Sequence, residues 1–115
     1  MQLTNGGTLT NNSPGTLANY GTLSNNVGST LSNWGKVINE SGGTFRNAGT
    51  FTNQSLSGLT NNSYATNTGS LTNSGTITNV TGATFNNSGS LSTAGGGTTD
   101  NQTGGTFNNL AGGAM

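Results

Sequence analysis

One short phrase, Gly-Thr-Leu-Thr-Asn with close variants, recurs along almost the whole chain and limits it to a repeat architecture. A unit this short cannot bury its apolar residue alone and must stack on its neighbours. The apolar anchors fall at Leu3, Leu9, Leu17, Leu23, Leu31, Val37, Phe45, Phe51, Leu59, Leu71, Ile77, Phe85, Leu91 and Phe107. Through Leu59 their spacings alternate between six and eight residues, a unit of fourteen. Nearly every anchor has an asparagine two residues later: Asn5, Asn11, Asn19, Asn25, Asn33, Asn39, Asn47, Asn53, Asn61, Asn73, Asn79, Asn87 and Asn109. The same mark recovers two degenerate anchors, Ala65 with Asn67 and Thr99 with Asn101, whereas Leu91 is followed by Thr93. Two irregular steps, six residues from Ala65 to Leu71 and eight from Thr99 to Phe107, are expected in loops. Solenoids accept length changes at corners more readily than in stacked ladders.

Within a phrase the pattern has period two. Gly7, Leu9 and Asn11 point one way and Thr8 and Thr10 the other, which is the alternation of a strand. Threonine is β-branched and suits a pleated strand, while this density of Gly and Asn would penalise a helix. The expected fold is therefore all-β, a single parallel β-solenoid over residues 1–115 with one apolar side chain per strand facing inward.

The alternating spacing predicts a coil of about 14 residues with two arms, since that keeps long loops over long loops. Leu9, Leu23, Val37, Phe51, Ala65, Ile77, Leu91 and Phe107 would then form one interior row, opposed by Leu3, Leu17, Leu31, Phe45, Leu59, Leu71, Phe85 and Thr99. Eight such coils would make a rod roughly 35–40 Å long at ~4.8 Å per level. The competing solution is a three-arm coil of about 20 residues, which would force each corner to change loop length from level to level. In either arrangement the asparagines at the strand ends are expected to bond to backbone and to stack as an amide ladder, with Gly two residues before the anchor permitting a tight corner.

Composition then removes most chemistry. Only 27% of residues are hydrophobic and 3% charged, too little apolar material for a two-layer core, yet the net charge is zero and Pro14 is the one proline, unlike a typical disordered chain. Cysteine and histidine are absent, so no disulfide, thiol or histidine-based metal or nucleophile-activating site is expected. Glu40 and Asp100 would lie four coils apart, about 19 Å, too far for paired-carboxylate hydrolysis. Two positive charges, Lys36 and Arg46, are too few for a nucleic-acid footprint, and they read as surface charge or an ion pair with Glu40. No enzyme activity, cofactor, metal or nucleic-acid partner is expected, and no apolar run is long enough for a spanning helix. Residues 1–20 have neither a basic start nor an apolar centre, so no secretory signal is visible in them.

What remains is surface. Tyr20 and Trp34, fourteen residues apart, are expected to share one corner and are candidates for contact with a sugar ring or a neighbouring rod. In the two-arm register the outward pairs Thr8/Thr10, Thr22/Ser24, Thr50/Thr52, Thr76/Thr78 and Ser90/Ser92 line one row, interrupted by Lys36/Ile38, Tyr64/Thr66 and Thr106/Asn108. Such Thr-x-Thr rows resemble those of β-solenoid ice-binding proteins, so an ice- or glycan-binding surface containing Thr50 and Thr52 is the alternative function. The interruptions count against it.

The phrases at residues 7–11, 49–53 and 75–79 look like the repeat regions of filamentous haemagglutinin-like bacterial adhesins. That resemblance implies an exported parallel β-helix at the cell surface or outside the cell, acting as an adhesive stalk or filament toward a host or matrix glycan or protein. Phe107 and Leu3 lie close to the ends of the stack, which leads us to expect uncapped strand edges and end-to-end self-association.

Overall fold

The computed structural model describes residues 1–115 as a parallel β-solenoid of sixteen four-residue strands with no helix. The first coil comprises β1 (Gln2–Asn5), β2 (Thr8–Asn11) and β3 (Thr16–Asn19), and the second β4 (Thr22–Asn25), β5 (Thr30–Asn33) and β6 (Lys36–Asn39). The third holds β7 (Thr44–Asn47), β8 (Thr50–Asn53) and β9 (Gly58–Asn61), the fourth β10 (Tyr64–Asn67), β11 (Ser70–Asn73) and β12 (Thr76–Asn79). Above them lie β13 (Thr84–Asn87), β14 (Ser90–Thr93) and β15 (Thr98–Asn101), followed by β16 (Thr106–Asn109). The strands stack into three parallel sheets, β1-β4-β7-β10-β13-β16, β2-β5-β8-β11-β14 and β3-β6-β9-β12-β15.

The coil therefore has three arms, and the two-arm expectation is overturned. Leu9 pairs with Leu31, not Leu23, and the three interior rows are Leu3-Leu23-Phe45-Ala65-Phe85-Phe107, Leu9-Leu31-Phe51-Leu71-Leu91 and Leu17-Val37-Leu59-Ile77-Thr99. With about five coils in place of eight, the Cα trace spans only 31 × 28 × 26 Å, so the elongated rod is corrected to a short prism.

The corners explain why loop length was a false guide. At the corner from the second sheet to the third, residues 12–15, 34–35, 54–57, 74–75 and 94–97 lie one above another, alternating four and two residues. Every level nevertheless makes the same axial bonds. The Trp34 amide donates to the Asn11 carbonyl and Lys36 to Gly15, and one level up Gln54 donates to Asn33 and Gly58 to Gly35. A four-residue corner closes on itself, as when Gly15 donates to Asn12 and Ser57 to Gln54, so its two middle residues are pushed outward and its first and last take the places of a two-residue corner. In seven of the eight four-residue corners the third residue sits at positive φ, namely Gly28, Gly42, Leu56, Gly82, Gly96, Gly104 and Gly112, while the corner 12–15 has Pro14 there. Glycine suits that dihedral, and Leu56 is the exception.

Burial follows the anchors. Leu23, Leu31, Val37, Phe45, Phe51, Leu59, Leu71, Ile77, Phe85 and Leu91 are buried with Ala65, while Leu3, Leu9, Leu17 and Phe107 pack against them from the outer coils. The degenerate anchors hold their rows: Ala65 lies between Phe45 and Phe85, and Thr99 follows Ile77. Rings pack within the core, with Phe45 and Phe51 edge-to-face at 5.5 Å and Phe85 stacked on Phe107 at 4.8 Å. Both irregular spacings lie in corners, 68–69 and 102–105.

Candidate functional site

Each strand ends in a residue whose side chain turns inward at the corner, and in fifteen of the sixteen strands that residue is asparagine. Three ladders result. Along the first sheet Asn5 donates through Nδ2 to Oδ1 of Asn25, which donates to Asn47, then Asn67, Asn87 and Asn109, at 2.7–2.9 Å. Asn11, Asn33, Asn53 and Asn73 form the second ladder, and Asn19, Asn39, Asn61, Asn79 and Asn101 the third. The second Nδ2 hydrogen goes to a backbone carbonyl, as from Asn33 to Gly58 and Asn25 to Thr50. No buried side-chain polar atom lacks a partner, so amides in a nearly dry interior stabilise the stack instead of costing their desolvation. Every ladder bond runs the same way, donor below and acceptor above. The second ladder stops at Asn73, because β14 ends in Thr93.

Glycine at the last corner position belongs to the same design. A Cβ on Gly35, Gly69 or Gly89 would run into the carbonyl oxygen of Gly15, Gly49 or Gly69 one level below. At these three levels the stacked corners leave no room for a Cβ, whereas Ser29, Ser57, Ser63 and Ala83 hold side chains at the same corner position elsewhere.

The surface candidates separate in space. Trp34 opens the corner from the second sheet to the third, whereas Tyr20 opens the corner from the third to the first. They do not share a corner, and that expectation fails because coils repeat at eighteen to twenty-two residues and not at fourteen. Both rings are exposed, as is Tyr64 on the first sheet, whose hydroxyl accepts from Asn86 Nδ2 at 3.1 Å. Thr50 and Thr52 stay on one strand but gain new neighbours: Thr30/Ser32 below and Ser70/Thr72 above. Thr22/Ser24 belongs to the first sheet and Thr76/Thr78 to the third, so the mixed row read from the sequence does not exist.

Glu40 follows β6 and Asp100 lies in β15, three levels apart in the third sheet and not four, about 14 Å at the usual strand spacing. No three His, Cys, Asp or Glu side chains gather into a metal-binding group. A recess of about 550 Å³ opens over the interior at the uppermost level, lined by Ser90, Leu91, Ser92, Thr93, Thr99, Ala114 and Met115. A smaller groove of about 410 Å³ runs where the protruding corners 54–57 and 94–97 flank the short corner 74–75, with polar lining from Ser55, Ser57, Ser74 and Thr76. No helix is long and apolar enough to cross a membrane. No family model matches the chain, and no curated protein or solved structure matches it either.

Proposed function

We propose that the chain is a non-catalytic structural element of an exported surface, a segment of an adhesive stalk or a subunit of a filament, located outside the cell or on its surface. The observation that carries this reading is the one-way amide ladder. Each coil presents Nδ2 donors upward and Oδ1 acceptors downward, so any coil is a template for the next and coils can be added without a new design. A second copy stacked on the axis meets the same complementarity at the first and third ladders, which end in Asn109 and Asn101, and the half-buried Leu3, Leu9 and Leu17 supply apolar area for it. Exposed Trp34 and Tyr20, at separate corners, are suited to contacts with a matrix or host glycan or protein.

Electron microscopy and fibre diffraction of the purified chain over a range of concentrations test the axial reading. The expected result is filaments one prism wide, with a meridional reflection near ~4.8 Å. A chain that stays monomeric at the highest soluble concentration overturns the filament role.

A further inference from the structure

The three-arm register gives the second sheet an outward face unlike the other two. Thr8, Thr30, Thr50, Ser70 and Ser90 lie in one straight column, and Thr10, Ser32, Thr52, Thr72 and Ser92 in the next. Ten consecutive outward positions thus carry an aliphatic hydroxyl, and all are exposed or half-exposed. The outward side of the first sheet is broken by Arg46, Tyr64 and Asn86, and that of the third by Lys36, Ile38 and Asp100. Side-chain hydroxyls that do bond to protein, those of Ser57, Tyr64, Thr68, Thr76, Thr81 and Thr98, all lie off the second sheet. The ten hydroxyls are therefore committed to solvent.

Their chemistry restricts what can bind. The columns are about 6.7 Å apart along the strand, and rungs about 4.8 Å apart along the axis. The face holds no charge for a phosphate or an ionic peptide and no aromatic ring for a sugar, and the recess at the uppermost level touches only its last rung, Ser90 and Ser92. A single hydroxyl gains almost nothing by exchanging one water for another. Gain arises only where the partner repeats in two dimensions, so that many weak bonds form together on a surface already ordered by its ladders. Hexagonal ice presents oxygen atoms in planes whose two repeats are close to those of this grid, and β-branched threonines hold their hydroxyls in few rotamers.

We propose that the outward face of the second sheet adsorbs to ice through the hydroxyls of Thr8 to Ser92, the Thr50/Thr52 rung being its centre. This is a surface property independent of axial assembly. It is tested by nanolitre osmometry and by partition of fluorescently labelled protein into a growing ice hemisphere. The native chain is expected to show thermal hysteresis, faceted ice crystals and incorporation into ice. The double variant Thr50→Lys/Thr52→Lys is expected to lose most of all three, while Thr76→Lys/Thr78→Lys on the third sheet retains them, with circular dichroism establishing that both remain folded. Absence of hysteresis in the native chain, equal loss in both variants, or binding to crystalline cellulose or chitin without binding to ice overturns the assignment.

Discussion

Asn47 donates from Nδ2 to Oδ1 of Asn67 at 2.7 Å, although twenty residues separate them, and Asn67 repeats the bond to Asn87. Replacing Asn67 with Ala would strand the donor below and the acceptor above in a buried setting. At ~1–3 kcal/mol for each unsatisfied group, the loss is expected to be about 2–5 kcal/mol, read from urea denaturation. Asn67→Asp separates shape from charge. Burial raises the introduced carboxyl's pKa above its unfolded value of about 3.9. The protonated form can donate to Asn87, so stability should be highest below that pH and fall as pH rises through the raised value. A loss independent of pH would count against the ladder.

Thr93 is the complementary case, since it ends the second ladder where Asn73 has no amide above it. Thr93→Asn supplies the acceptor and is expected to add about 1 kcal/mol. Unchanged stability would mean that the exposed end of a ladder contributes nothing.

Leu56 is fully exposed and holds φ at 67°, a conformation that six other four-residue corners give to glycine at that position. Leu56→Asn should stabilise by roughly 0.5–1 kcal/mol, because asparagine tolerates the left-handed region and no packing is lost. A decrease in the thermal midpoint would contradict this.

Gly69→Ala is expected to act the other way. Its Cβ would overlap the Gly49 carbonyl oxygen, and backbone held between two ladders cannot move aside easily. A loss of about 1–3 kcal/mol is expected, against a small gain if the site were open.

Much of this molecule was legible as sequence because two independent marks, the apolar anchor and the asparagine after it, report on one strand. They located all sixteen strands, the interior positions and even Ala65 and Thr99. The number of arms was not legible. Loop length seemed to say which corner lies above which, but a corner such as Gln54–Ser57 extrudes its middle residues and presents the same bonding groups as Trp34–Gly35. Tyr20 with Trp34 and the interrupted threonine row inherited that error, and the hydroxyl face emerged only when Thr30 and Ser70 took their places beside Thr50.

The extruded corner has a further consequence for how such a chain can change. Residues such as Ser55–Leu56 or Ser41–Gly42 carry none of the axial bonds, so pairs of codons can be gained or lost there without shifting a single rung. The three edges of the prism are thus free to diversify, or to display grafted peptides at chosen heights, while the interior keeps its register.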